Sequence, residues 1–168
     1  MAYANNNSNN SKIIPRYANA GRKDRVEKYG RGAECFWFQH CQANDLRYEP
    51  FADDRLSTRK SCKLPDCLTD GVPTELTMWP KGWKSGEFRC KHVQILASKI
   101  WMREAYAGSG GYYVMISLDG VHGVKVPFDL KLPEPVMSPT AEGMQSAYRF
   151  PIEQCEKFKL GKVRTELN

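Results

Sequence analysis

The chain has 168 residues, of which 41% are hydrophobic and 26% are charged. This composition is typical of a globular protein and excludes a largely disordered chain. Residues 1 to 10 are polar and rich in asparagine, and the most apolar stretch, residues 93 to 107, contains three charged residues. A secretory signal or a membrane span requires a less interrupted apolar run. We therefore expect a cytoplasmic or nuclear protein that is not secreted and has no membrane partner.

The charge and the cysteine content favour two kinds of ligand. The formal net charge is +6 and the pI is about 9.0, which favours polyanionic partners because clustered lysine and arginine release counterions from phosphates. Six cysteines would be reduced in this compartment, so metal binding or simple burial is favoured over disulfide bonds.

Residues 1 to 31 combine an asparagine and serine run with many basic residues. Such a segment has too little apolar surface to fold alone, so we predict a flexible basic arm over residues 1–31 and a single domain over residues 32–168. The arm is either a solubilising tail or a segment that binds phosphates or assembly partners. Its candidate phosphate contacts are Arg22, Lys23 and Arg25.

The first part of the domain is dominated by an aromatic run and a basic patch. On a strand, Phe36, Trp37 and Phe38 would point to alternate faces, so at least one ring should meet the core while another could be left partly exposed; core packing is favoured over base stacking. Residues 45 to 63 are polar, and residues 69 to 86 contain prolines and glycines that allow only short strands. The basic patch consists of Arg55, Arg59, Lys60 and Lys63.

A helix is predicted between residues 88 and 106, beginning after Ser85 or Gly86 and ending before Gly108. Its apolar stripe has helical spacing. The stripe consists of Val93, Leu96, Ala97, Ile100 and Trp101.

Strands are predicted over residues 112 to 118 and 124 to 128, joined as a hairpin through residues 119 to 123. The segment after residue 128 is not expected to form a regular strand, because it contains Pro133, Pro135 and Pro139. A last strand is predicted over residues 148 to 153. The predicted fold class is therefore α+β, a small single domain with one main amphipathic helix packed on a short antiparallel sheet.

Cysteine and histidine residues are grouped in a way that predicts a structural zinc site. Zinc prefers four thiolate or imidazole ligands, and short loops present them in pairs. The preferred ligands are Cys62, Cys67, Cys90 and His92, where Cys90 would gain from the start of the predicted helix. An alternative set joins Cys35 and Cys41, with His40 beside them, to the first pair. The other interpretation is that the cysteines are small buried hydrophobic residues.

The spacing of the preferred set, Cys-x4-Cys followed by Cys-x-His, is similar to the arrangement in WRKY-type zinc fingers. The resemblance covers residues 62 to 92. The third ligand is Cys90 where that family has histidine, and the DNA-reading strand that gives the family its name is missing before Cys62. The resemblance therefore implies a ligand spacing and no function.

A loop between the two ligand pairs interleaves tryptophans with lysines. Flat rings stack on bases and neighbouring ammonium groups contact phosphates, so this composition is typical of single-stranded nucleic-acid binding. The alternative is that each tryptophan folds back into the core. The loop residues are Trp79, Lys81, Trp83 and Lys84.

A weaker catalytic pattern consists of acidic residues at strand ends. Glu104, Asp119, Asp129 and Lys131 resemble the carboxylate and lysine sets of Mg²⁺-dependent nucleases. Asp119 with Gly120 is equally typical of a hairpin turn. A phosphate-binding P-loop is absent from the sequence.

The leading hypothesis is a non-enzymatic nucleic-acid-binding protein with a structural zinc, which contacts phosphates through the arm and the patch and stacks bases on the Trp/Lys loop. One alternative is a small structural or assembly protein of a virus or phage, which forms a homo-oligomer. A second alternative is a Mg²⁺-dependent nuclease.

Overall fold

The computed structural model describes residues 31 to 51, 64 to 140 and 143 to 162. Within these residues the chain forms two α-helices and eleven strands. None of the helices in these ranges is long and apolar enough to cross a membrane. The helices are α1 (Arg31–Ala43) and α2 (Ala97–Ala105). The strands are β1 (Tyr48–Pro50), β2 (Cys67–Thr69), β3 (Val72–Met78), β4 (Trp83–Lys84), β5 (Glu87–Phe88), β6 (His92–Leu96), β7 (Tyr112–Ile116), β8 (His122–Pro127), β9 (Pro135–Thr140), β10 (Gly143–Pro151) and β11 (Glu156–Lys159).

The largest sheet has six strands in the order β1-β2-β3-β7-β8-β11. Neighbouring strands in it are antiparallel, except that β3 and β7 are parallel, with Thr74 opposite Tyr112 and Met78 opposite Ile116. A second sheet has the order β6-β10-β9, and β4 and β5 form a separate hairpin. The segment between β3 and β7 therefore carries the β4–β5 hairpin, β6 and α2 before the chain returns to the sheet.

Both faces of the six-stranded sheet are covered. Successive side chains of a strand point to opposite faces, and β7 follows this rule. Val114 and Ile116 face a core shared with Trp37 of α1, whereas Tyr113 and Met115 face a core shared with Met102 of α2 and with residues of the three-stranded sheet. The six-stranded sheet is thus the middle layer of the molecule.

The predicted fold class is wrong. The described residues form a strand-rich structure with a six-stranded, a three-stranded and a two-stranded sheet, and neither helix is the main element. Residues 1 to 30 of the predicted arm and the whole basic patch lie outside the described residues.

The aromatic run of residues 36 to 38 lies on a helix and not on a strand. Ala33, Trp37 and Cys41 follow one another at four-residue intervals and form the buried face of α1, with Trp37 and Cys41 fully buried. Phe36 packs against the partly exposed rim of this core, and Phe38 packs edge-on against Tyr48. Helical spacing of the buried residues therefore overrides the β propensity of three adjacent aromatics.

The predicted helix of residues 88 to 106 is correct only in its second half. Val93 and Ile95 lie on β6 and pair with Phe150 and Tyr148 of β10. Both side chains are buried and lie two positions apart, which is the spacing of one face of a strand. The apolar residues of this segment therefore fitted the period of a strand as well as that of a helix. The helix begins at Ala97, so Cys90 does not lie at a helix start.

The predicted hairpin is confirmed, since β7 and β8 are antiparallel neighbours. The expectation that prolines exclude a strand near residue 135 is wrong, because β9 includes Pro135 and Pro139. Among the described strands β9 pairs only with β10, so it is an edge strand. Proline is tolerated there because its missing N–H can face away from the ladder.

His40 joins α1 to the segment that follows β11. Its side chain is buried, and Nδ1 accepts a hydrogen bond of 2.9 Å from the backbone N–H of Gly161. Burial lowers the pKa of His40 below 6.5, and the positive charge of Lys125 lowers it further. The imidazole is therefore neutral at neutral pH and holds the end of the six-stranded sheet against α1.

We expect the free energy of unfolding to fall as the pH is lowered through the unfolded pKa of histidine, about 6.5, because the unfolded state takes up the His40 proton first. His40 has its normal pKa when unfolded and a lower pKa when folded, so its contribution is complete above the unfolded value and is lost towards acid pH. Urea unfolding at a series of pH values measures this dependence.

The variant His40→Gln retains an acceptor for Gly161 but does not titrate, so part of the acid dependence should disappear. The matched control is His92→Gln, which changes an exposed histidine on β6. Identical pH dependence in the wild type and in His40→Gln would contradict the prediction.

Candidate functional site

Two adjoining depressions form a groove at one end of the six-stranded sheet, and we call it the Trp83 cleft. They have volumes of about 330 and 300 Å³, and both are lined by Trp83, Gly86 and His122. The first is also lined by Glu87, Phe88, Gly123, Lys157 and Phe158, and the second by Ser85, Ser117, Leu118 and Asp119.

The position of the cleft follows from the parallel pairing of β3 and β7. Parallel strands end at the same edge of a sheet, so the segments that follow Met78 and Ile116 leave the sheet side by side. The backbone N–H of Trp79 donates to the carbonyl of Ile116 at 2.9 Å, which continues the contact beyond the last pair. One wall of the cleft is the β4–β5 hairpin, and the other is the loop between β7 and β8.

The β4–β5 hairpin approaches His122 closely at its tip. Ser85 and Gly86 form the turn, and their φ angles of 52° and 78° are those of a type I′ turn, which favours glycine. A Cβ atom on Gly86 would lie 3.3 Å from Nε2 of His122. Glycine therefore provides both the backbone conformation and the close approach.

An aromatic cluster supports the hairpin. The ring of Phe88 packs edge-on against Trp79 and Trp83, with centroid distances of 5.6 and 5.0 Å. A Cβ atom on Gly82 would lie 2.7 Å from Cε2 of Phe88, so this ring packs directly on the backbone of the preceding turn. Both tryptophans are half-buried, and Trp83 lines the cleft.

Side-chain hydrogen bonds hold the opposite wall, the β7–β8 loop. The Ser117 hydroxyl donates to Oδ1 of Asp119 at 2.6 Å and accepts from the backbone N–H of His122 at 3.0 Å. Asp119 Oδ1 also accepts from the N–H of Val121 at 3.0 Å. The Ser117 bond in particular lowers the pKa of Asp119, so the carboxylate is charged. Because the Ser117 proton is directed to Asp119, this serine supports the loop and is not arranged as a nucleophile.

Lysines line and flank the cleft. Lys157 lies on β11 and lines the first depression, and Lys84 lies next to the hairpin turn with its side chain exposed. Among the described residues neither lysine forms an ion pair within 4.0 Å. The two carboxylates of the cleft have basic neighbours: Glu87 is 3.6 Å from Arg89, and the charge of Lys162 acts on Asp119. The cleft therefore contains both signs of charge, with Lys84 opposite Glu87 in the β4–β5 pairing.

The predicted Trp/Lys loop is only partly a loop. The tryptophans are anchored by Phe88, whereas Lys81 and Lys84 are exposed. The other predicted nucleic-acid contacts lie outside the described residues. These are Arg22, Lys23 and Arg25 of the arm and Arg55, Arg59, Lys60 and Lys63 of the patch.

The described residues do not bring the preferred zinc ligands together. Cys67 is buried on the side of the six-stranded sheet that faces α1, whereas Cys90 and His92 lie at the start of the three-stranded sheet on the other side. Cys62 lies outside the described residues. In the described parts of the chain there is no group of three or more His, Cys, Asp or Glu side chains that could hold a metal ion.

Two cysteines of the alternative set lie in a buried polar cluster. Trp37 Nε1 and the Thr74 hydroxyl each donate to the Thr69 hydroxyl at 2.9 Å, and Cys67 Sγ lies 3.9 Å from the same oxygen. Burial raises the pKa of Cys41 to about 12 and also raises the pKa of Cys67. Both thiols therefore lie among buried side chains, as the interpretation of small buried cysteines expects.

The acidic residues of the nuclease hypothesis are separated. Asp119 follows β7 and Asp129 follows β8, and these two strands are antiparallel, so the aspartates lie at opposite ends of the hairpin. Tyr112 to Ile116 alone extend over about 13 Å at the usual rise of a strand. The ligands of one Mg²⁺ lie within about 2.1 Å of the ion, so these two carboxylates do not share one.

Leu118, His122 and Lys157 are the cleft residues that the sequence did not single out. Each lies far along the chain from Trp83, and the only local signal was the glycine-rich turn between β7 and β8. Comparison of the chain with protein-family models, with curated proteins and with solved structures finds no match.

We expect Asp119→Ala to lower the free energy of unfolding by about 1 kcal/mol, because it removes the acceptor for Ser117 and Val121. Asp119→Asn should cost less, since an amide oxygen still accepts both hydrogen bonds. The pKa of Asp119 in the folded protein lies below 3.8. The difference in free energy of unfolding between the wild type and Asp119→Ala should therefore exist above about pH 4 and fade in stronger acid.

Urea unfolding measures these differences, and Asp129→Ala is the control because it removes an exposed aspartate from the opposite end of the same hairpin. Equal losses for Asp119→Ala and Asp129→Ala would show that the loop does not depend on the Asp119 carboxylate.

Proposed function

We propose that this protein is a non-enzymatic nucleic-acid-binding protein and that its folded part contacts nucleic acid at the Trp83 cleft. One observation carries the proposal: the half-buried ring of Trp83 on β4 and the lysine Lys157 on β11 line the same open groove. A flat ring accepts a base or a sugar, and an ammonium group accepts a phosphate.

The electrostatics of the cleft support an anionic ligand. Lys157 lines the groove, Lys84 is exposed next to Trp83 on β4, and Lys81 and Lys159 are exposed nearby along the chain. The negative charge of Glu87 has Arg89 beside it, and the positive charge of Lys162 acts on Asp119. A phosphate that reaches Lys84 or Lys157 would not have to displace an ion pair, because among the described residues neither lysine forms one within 4.0 Å.

The geometry of the cleft supports binding over catalysis. The Ser117 hydroxyl and the Asp119 carboxylate are occupied by hydrogen bonds within their own loop. The acids of the nuclease hypothesis lie at two ends of the β7–β8 hairpin. Besides these groups the cleft presents the Trp83 ring, the His122 imidazole, the Glu87 carboxylate and the Lys157 ammonium group, and a ring beside an ammonium group is typical of recognition.

The proposal includes the basic residues outside the described part of the chain. Arg22, Lys23 and Arg25 of the arm, together with the basic patch, would add phosphate contacts that require no fixed geometry. Such contacts raise affinity for any polyanion. The cleft would add the contacts that depend on the shape of the ligand.

We expect the double variant Lys84→Met/Lys157→Met to bind nucleic acid more weakly and with a smaller salt dependence. Each phosphate contact contributes about 0.7 to the slope of log K against log salt for a single strand, so the slope should fall by about 1.4. Fluorescence anisotropy with a labelled single strand of about 15 nucleotides, titrated at several salt concentrations, measures both quantities.

The control is Lys131→Met, which removes an exposed lysine from the connection between β8 and β9, at the other end of the hairpin. It should leave both affinity and slope close to the wild-type values. Wild-type protein that does not bind at low salt, or that binds equally at all salt concentrations, would refute the proposed function.

A further inference from the structure

We infer that the Trp83 cleft selects an unpaired nucleotide, whose base lies between Leu118 and Trp83 and whose phosphate meets Lys157. This inference rests on the proposed function and names its substrate class, a single strand and not a duplex. It depends on the two halves of the groove having different chemical character.

One half presents apolar surface that the fold does not bury. Leu118 is 49% exposed and lines the second depression together with Trp83. Its loop is held by the bonds of Ser117 and Asp119, and Gly120 in the same loop packs on the ring of Phe36. A large apolar side chain on a well-supported loop, opposite a tryptophan, forms a slot that suits a flat, apolar face.

The other half presents charge. Lys157 lines the first depression together with Glu87 and Phe88. Lys157 is opposite Val124 in the pairing of β11 with β8, so its position along the sheet is fixed by the ladder. His122 lies between the two halves, because it lines both. A ligand that fills the groove therefore needs a flat apolar group and an anionic group separated by a short linker.

An unpaired nucleotide has this composition. In a duplex the faces of the bases are covered by stacking, and only their edges are accessible from the grooves. The slot lies between the β4–β5 hairpin and the β7–β8 loop, and a base offers its faces to the two walls only after turning out of a stack. A single strand meets this condition at little cost, whereas a duplex must first be opened.

The test compares three ligands of about 15 phosphates each: oligothymidylate, an abasic oligomer with the same backbone, and a duplex. Anisotropy competition at one salt concentration gives their relative affinities. Oligothymidylate should bind about 5-fold to 150-fold more tightly than the abasic oligomer, which is the range expected for one stacked base. The duplex should compete more weakly than the single strand per phosphate.

Two variants should reduce the preference for oligothymidylate over the abasic oligomer. Leu118→Ser removes an exposed wall of the slot, and Trp83→Phe keeps an aromatic ring against Phe88 while reducing the stacking surface. The control Met137→Ser makes a similar apolar-to-polar change at a side chain that is 59% exposed on the edge strand β9. If Trp83→Phe does not fold, Leu118→Ser still provides the test.

The outcomes separate the two proposals. Equal affinity for oligothymidylate and the abasic oligomer, with salt dependence retained, overturns the selection of an unpaired base and leaves the proposed function standing. An unchanged preference in Leu118→Ser overturns the slot. Failure of all three ligands to bind at low salt overturns the proposed function itself. A preference that both cleft variants lose, and that Met137→Ser keeps, supports the inference.

Discussion

The parallel pairing of β3 and β7 is the constraint on which the candidate site depends. It is the only parallel pair among the described strands, and it lies in the middle of the six-stranded sheet. Since both strands end at the same edge, the β4–β5 hairpin and the β7–β8 loop leave the sheet as neighbours. The hydrogen bond from Trp79 to Ile116 keeps them together, and the antiparallel pairing of β11 with β8 then adds Lys157.

Local sequence signals predicted the elements whose partners are close along the chain. The β7–β8 hairpin was predictable because its strands are rich in β-branched residues and its turn contains glycine. Strand β6 was not predictable from local signals, because Val93 and Ile95 become strand residues only through pairing with Phe150 and Tyr148 of β10. Tertiary pairing overrides a helical pattern when the same residues also fit a period of two.

The same distinction applies to the site. Trp83 and Lys84 were predictable from composition, because aromatic and basic residues alternate in one short segment. Leu118 and Lys157 were not predictable as cleft residues, since each joins the cleft through strand pairings that span long stretches of sequence. The spacing of the cysteines predicted metal ligands, and the fold places two of them, Cys41 and Cys67, near Thr69 and Trp37, where burial raises the pKa of both thiols.

The proposed contacts divide into two physical classes that respond differently to solution conditions. Attraction between lysines and phosphates comes from counterion release and weakens steeply as salt is added. Stacking on Trp83 and packing against Leu118 remove apolar surface from water, and salt hardly weakens that contribution. The ratio of affinities for ligands of equal charge therefore isolates the slot, whereas the salt slope isolates the lysines. In a chain with a net charge of +6, affinity alone would show neither, because much of it could come from basic residues outside the cleft.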